Sequence, residues 1–179
     1  QIGYIYMGIG LGTTIGFTAA MFHIISHALM KSTLFIAASG LAEVSNGKKD
    51  FKSLKGAGFR NKTAGLAFTI AGFSMIGVPL LTGFISKYLF VQAGFEGGGK
   101  MIFAILALAI STLLNVIYFG RMIIILYTPV ELDMRKPQGK IPSKIENAGA
   151  FGLALLNVAL GCASYPVVQA IMQGLAMFD

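Results

Sequence analysis

The chain has 179 residues, of which 55% are hydrophobic and 12% charged, and its mean hydropathy is +0.75. Soluble domains carry about a quarter of charged residues, so this composition excludes a water-soluble globule, and it is far too apolar for disorder. The net charge of +7 lies in loops between apolar runs, which points to a polytopic membrane protein and removes nucleic acid as a partner.

Five apolar segments follow in chain order. A bilayer core about 30 Å thick needs roughly 20 helical residues, and all five are long enough or nearly so. Strands of a membrane barrel would alternate polar and apolar side chains, which these runs do not, so the expected fold is an all-α bundle of about five transmembrane helices.

The first span, 1–22, has no charge and is rich in glycine, with Gly8 and Gly12 forming a small-xxx-small pair suited to close helix packing. It opens on Gln1 without a signal-peptide pattern, so this single membrane domain is expected to be a fragment of something longer or to have a truncated start. The second span, 24–44, contains Lys31 and ends at Glu43. His23, His27 and Lys31 are spaced four apart, which places them on one slightly drifting helix stripe. Imidazole can both accept and donate a proton near neutral pH, so the stripe suits stepwise proton transfer. Two alternatives stand beside this: a histidine bonded only to neighbouring backbone, and a two-histidine metal site that lacks a third ligand. Glu43 is the one acidic residue near that end of a span, either an accessory partner or an exposed headgroup-level charge.

The loop 45–62 holds Lys48, Lys49, Lys52, Lys55, Arg60 and Lys62, six of the 14 basic residues. The third span, 64–95, contains Gly77-Val78-Pro79 near its middle and Gly83, Ser86 and Lys87 beyond. Proline lacks the amide hydrogen and disfavours helical angles before it, so a discontinuous helix is expected at Pro79, loosened by Gly77 and Gly83. Free backbone groups inside a membrane are tolerated only beside protein or a wet cavity, a setting used for ion sites. Lys31 and Lys87 each cost about 2.5–3.5 kcal/mol to place mid-membrane, so they read as ion-handling groups, with snorkelling to the interface as the alternative.

A near-neutral turn at 96–100 leads to the fourth span, 101–128. Its Arg121 is expected to snorkel, and Ser111, Thr112 and Asn115 serve either a hydrated path or helix–helix bonding. The loop 129–147 is again basic, and the uncharged fifth span, 148–178, closes the chain. With five spans the two basic loops share one face, and the excess of Lys and Arg assigns that face to the cytoplasm, with a prokaryotic cytoplasmic membrane expected. One cysteine, Cys162, leaves no internal disulfide and no multi-cysteine metal or iron–sulfur site in this sequence. No dinucleotide, flavin or metal motif is present, so no cofactor is expected on this chain and no redox active site.

Two motifs carry a resemblance. Phe22-His23 through His27-Ala28-Leu29-Met30-Lys31-Ser32-Thr33-Leu34-Phe35, and Gly77-Val78-Pro79-Leu80-Leu81-Thr82-Gly83-Phe84-Ile85-Ser86-Lys87, resemble the antiporter-like subunits of respiratory complex I. Mrp-type sodium/proton antiporters and membrane-bound hydrogenases share that family. The resemblance implies the last five of about fourteen core helices of an inverted-repeat fold. It implies that Lys31 is a central-axis lysine with His23 and His27 as relay members, and Lys87 the terminal lysine on a broken helix where relatives carry Lys or Glu. It further implies a proton-translocating subunit of a redox-driven pump, with other membrane subunits as partners and iron–sulfur, flavin or nickel–iron groups on partner subunits. An Mrp-type antiporter moving sodium ions and a structural subunit without flux are the alternatives. The Glu and Lys pair of the family's first repeat has no counterpart in these residues, and the subunit type that carries a long lateral helix after the last span is not the one expected.

Overall fold

The computed structural model describes residues 1–131, 137–140 and 143–177. It is all-helical, with no strand among the described residues. The elements are α1 (Ile2–Leu11), α2 (Thr14–Glu43), α3 (Ala57–Arg60), α4 (Lys62–Ile76), α5 (Thr82–Glu96), a short 3-10 turn (Gly98–Lys100), α6 (Met101–Leu126), α7 (Lys144–Cys162) and α8 (Ser164–Leu175). Three of them, α2, α6 from Ile102 and α7, are individually long and apolar enough to cross a membrane.

The first boundary differs from the expected one. The chain turns at Gly12-Thr13, not after Phe22, and His23 lies inside a continuous helix of 30 residues. The reason is local chemistry. Gly12 adopts the left-handed conformation (φ 70°) that closes α1, and the Thr13 hydroxyl accepts the Gly16 N–H at 3.0 Å to start α2. Nothing around Phe22 offers either signal. As a result α1 folds back along α2, with Gly8 facing Gly16 and Ala20, and Tyr4 facing His23. Gly12 is therefore a cap, and the close-packing partner of Gly8 is Gly16.

The discontinuous helix, α4 and α5, runs between two continuous antiparallel ones. On one side α2 sets Gly40 against Asn61 and Ala64, and His23 against Ser86. On the other side α6 sets Ile105 against Gly94, Thr112 against Lys87 and Phe119 against Gly72. Within lipid no hydrophobic force draws helices together, so close packing of small side chains must do it. Ala37, Ala67, Ala71 and Ala154 are accordingly fully buried where α2, α4 and α7 meet. The outer face of α6 stays apolar and exposed from Ile102 and Phe103 through Ile117 to Ile124, as a lipid- or helix-facing surface requires.

The last segment is likewise split, where one span was expected. Pro166 cannot donate to the Cys162 carbonyl one turn back, and α7 ends at Cys162 with α8 restarting after Ala163. Residues 178–179 lie outside the described residues. The two basic loops meet on one face: the Gln138 N–H donates to the Val44 carbonyl at 3.1 Å and the Gly56 N–H to the Ile125 carbonyl at 3.1 Å. Arg60 is buried there, its guanidinium donating to the Lys55 and Ser53 carbonyls and to the Ser45 hydroxyl, so it organises the loop instead of facing a headgroup.

Candidate functional site in the discontinuous helix

Residues 77–81 interrupt the α4–α5 helix, and their polar groups can be followed one by one. Gly77 and Val78 both donate to the Phe73 carbonyl. Gly77 has φ 96° and Leu80 φ 72°, so a non-glycine residue sits in the left-handed region at the break. Leu81, which precedes α5, has no capping oxygen; the Ser74 hydroxyl of the preceding helix substitutes, accepting the Gly83 N–H at 3.1 Å. A Cβ on Gly83 would run into the Ser74 backbone oxygen, so only glycine permits this approach.

The carbonyls left open at the end of α4 are taken by Lys87. Its side chain folds back from α5, and Nζ donates to the Ile76 carbonyl at 2.6 Å, the Met75 carbonyl at 3.1 Å and the Thr112 hydroxyl of α6 at 3.0 Å. A helix C-terminus carries partial negative charge, so a buried ammonium there is compensated without a carboxylate. Lys87 does not snorkel. Its stem passes Gly77, where a Cβ would meet Lys87 Cδ at 2.9 Å.

One residue before Lys87, the buried Ser86 hydroxyl donates to the Gly83 carbonyl at 3.1 Å and lies 3.0 Å from His23 Nδ1. Either nitrogen of the neutral His23 ring can carry the hydrogen, so the ring can donate to Ser86 or accept from it, and the nitrogen on its far side is Nε2. That Nε2 and the Tyr4 hydroxyl are both buried with no hydrogen-bond partner among the described residues. The His27 ring follows at 6.1 Å between centroids. Lys31 is half-buried with Nζ 5.5 Å from the Phe35 ring centroid. Along α2 the order is Lys31, His27, His23, and His23 is the member of the stripe that touches α5, through Ser86, the residue before Lys87.

Glu43 is not part of this cluster. It lies at the end of α2, about 18 Å along the helix from Lys31. There it lines a cavity of about 550 Å³ with Ser39, Lys49 and Tyr118 at the basic-loop face. Arg121 stacks on Phe51 of that loop at 4.7 Å. Among the described residues no group of three or more His, Cys, Asp or Glu side chains could hold a metal ion.

Sequence reasoning passed over Asn157. This fully buried side chain of α7 accepts the Thr82 hydroxyl at 3.2 Å, and Thr82 lies 3.3 Å from the Ser74 hydroxyl. One polar cluster thus ties the break to α7. The available signal was an asparagine alone in the apolar stretch from Ala148 to Cys162.

These features define an integral membrane helix bundle with a lysine-bearing discontinuous helix. Residues 1–115 match the family described as NADH:quinone oxidoreductase/Mrp antiporter, transmembrane, and the chain belongs to that family. It is 35% identical over 123 residues to subunit N of an NADH-quinone oxidoreductase of Desulforudis audaxviator, covering 69% of this chain and 24% of that protein. It is 29% identical over 180 residues to a Na(+)/H(+) antiporter subunit of Alkalihalophilus pseudofirmus, covering 97% and 34%. A chain in the structure of an Mrp complex from a Dietzia species shares the fold, with a TM-score of 0.82 at 21% identity over 96% of this chain and 39% of that one. The chain spans roughly a quarter to a third of the curated relatives it matches.

Proposed function

We propose that this chain is the C-terminal part of a proton-translocating, antiporter-like subunit of a redox-driven pump, moving protons along Lys31, His27, His23 and Lys87. The observation that carries the reading is the buried Lys87 ammonium, held by open carbonyls one residue from the Ser86–His23 contact. Such intramembrane cations are retained where ions move. The partners are other membrane subunits and the bilayer. Any iron–sulfur, flavin or nickel–iron chemistry belongs to subunits other than this one, and the basic-loop face is cytoplasmic.

The decisive experiment is Lys87→Ala in the intact complex, followed by proton translocation in everted membrane vesicles. Translocation is expected to fall by about a hundredfold or more while the complex still assembles on a native gel; full translocation would sink the proposal. Lys87→Glu is expected to retain part of the activity. A sodium/proton exchanger is the second reading, favoured by the similarity to a Na(+)/H(+) antiporter subunit over 97% of the chain. Mass spectrometry of the complex from native membranes separates the two: redox subunits co-purify in the first case, only hydrophobic antiporter subunits in the second.

A further inference from the structure

An ammonium group has three N–H donors and no acceptor; the neutral amine has two donors and one lone pair. Lys87 Nζ has three acceptors around it, which matches the ammonium form: the carbonyls of Met75 and Ile76 and the hydroxyl of Thr112. The two carbonyls can only accept. When the proton leaves, they go on receiving the two remaining N–H groups, and the new lone pair needs a donor. Ser86, the neighbouring hydroxyl, has its hydrogen on the Gly83 carbonyl, and the Ser74 and Thr82 hydroxyls are engaged with each other, Gly83 and Asn157. Thr112 is the remaining hydroxyl bonded to Lys87, and a rotation about its C–O bond turns it from acceptor into donor.

We infer that Thr112 is the positioning residue of the Lys87 site: its hydroxyl accepts from the ammonium and, turned over, donates to the amine, so both protonation states of Lys87 keep three hydrogen bonds in one place. No bond to carbon or oxygen changes; the proton lost by Nζ goes to the translocation path and the Thr112 hydrogen stays on its oxygen. Thr112 comes from the continuous helix α6, whereas both carbonyls come from the broken one. The lysine head is thereby referenced to a rigid neighbour whichever form it takes. A deprotonated Lys87 without that donor would leave a buried lone pair unsatisfied, which disfavours the neutral form the proton must leave behind. The inference rests on the proton-translocating reading of Lys87.

The test compares Thr112→Val, which keeps the shape and removes the hydroxyl, with Thr112→Ser, which keeps the hydroxyl and removes the methyl. Both are made in the intact complex and assayed in everted vesicles with a pH-sensitive dye, driven by the complex's own reductant or counter-cation. Translocation is expected to fall about tenfold in Thr112→Val and to stay within about twofold of wild type in Thr112→Ser, with assembly unchanged in both. A packing role predicts the reverse ranking, because valine fills the site better than serine. Full rate in Thr112→Val, or equal loss in Val and Ser, overturns the inference. Should the valine variant fail to assemble, Thr112→Ala against Thr112→Ser decides, since they differ by one oxygen; equal rates overturn it. Loss of flux in Lys87→Ala with full flux in Thr112→Val rejects the role of Thr112 alone, whereas full flux in Lys87→Ala rejects the underlying reading as well.

Discussion

Two helices of this bundle are interrupted, and the interruptions lie side by side. Gly161 packs onto Leu80 and Leu81, and Cys162 Sγ is 3.9 Å from the Leu80 carbonyl. Each has a proline nearby, yet only one is chargeable. Between α4 and α5 the whole segment 77–81 leaves the helix. Two of its residues take left-handed angles, and the open carbonyls require a donor, which Lys87 supplies. Between α7 and α8 a single residue, Ala163, leaves the helix, and its N–H still bonds the Ala159 carbonyl at 2.8 Å. Pro166 sits in the first turn of α8, where a missing N–H costs no helical bond. A proline marks where a helix stops; how far away the next helix restarts decides how many backbone groups a side chain such as Lys87 must satisfy.

This contrast can be tested in order of expected effect. Gly83→Ala places a methyl group against the Ser74 backbone and should cost about 3 kcal/mol, read as loss of assembled complex on a native gel. Gly77→Ala forces φ 96° on a residue with a Cβ and presses on the Lys87 stem. A destabilisation of about 1–2 kcal/mol is expected, with translocation falling more than assembly does. Asn157→Ala removes the acceptor of the Thr82 hydroxyl and should lower thermal stability by roughly 1–2 kcal/mol, measured by unfolding in detergent. Pro166→Ala should change stability by less than about 0.5 kcal/mol and leave flux unaltered. A large flux defect in the last variant would mean that the second interruption is functional too, and the distinction between the two would fail.

The all-helical membrane class was legible because composition and apolar run length report it directly. So was the break at Pro79, because Gly77, Pro79 and Gly83 cluster in the middle of a run too long for one straight helix. Lys87 stood out by the cost of its charge. What holds its head did not: the Met75 and Ile76 carbonyls are backbone, and backbone acceptors leave no letter in a sequence. The turn at Gly12-Thr13 was written locally, but hydropathy is blind to it, since glycine and threonine hardly lower an apolar average. The continuity of α2 through His23 was missed for the converse reason, a polar residue being mistaken for a boundary. Pro166 was visible and passed over because no charge accompanied it.

The contact between Gly77 and Lys87 bears on how the family varies. Position 77 answers to two separate demands, a left-handed backbone and room for the passing stem of Lys87. A relative with glutamate at the position of Lys87 relieves only the second. Its shorter side chain stops before the glycine and, as a carboxylate, is repelled by the very carbonyls that hold the ammonium. Covariation across the family should therefore leave the glycine fixed by its backbone while the residues that meet the charged head change from acceptors to donors. Position 112 on α6 is the first place to look for that exchange.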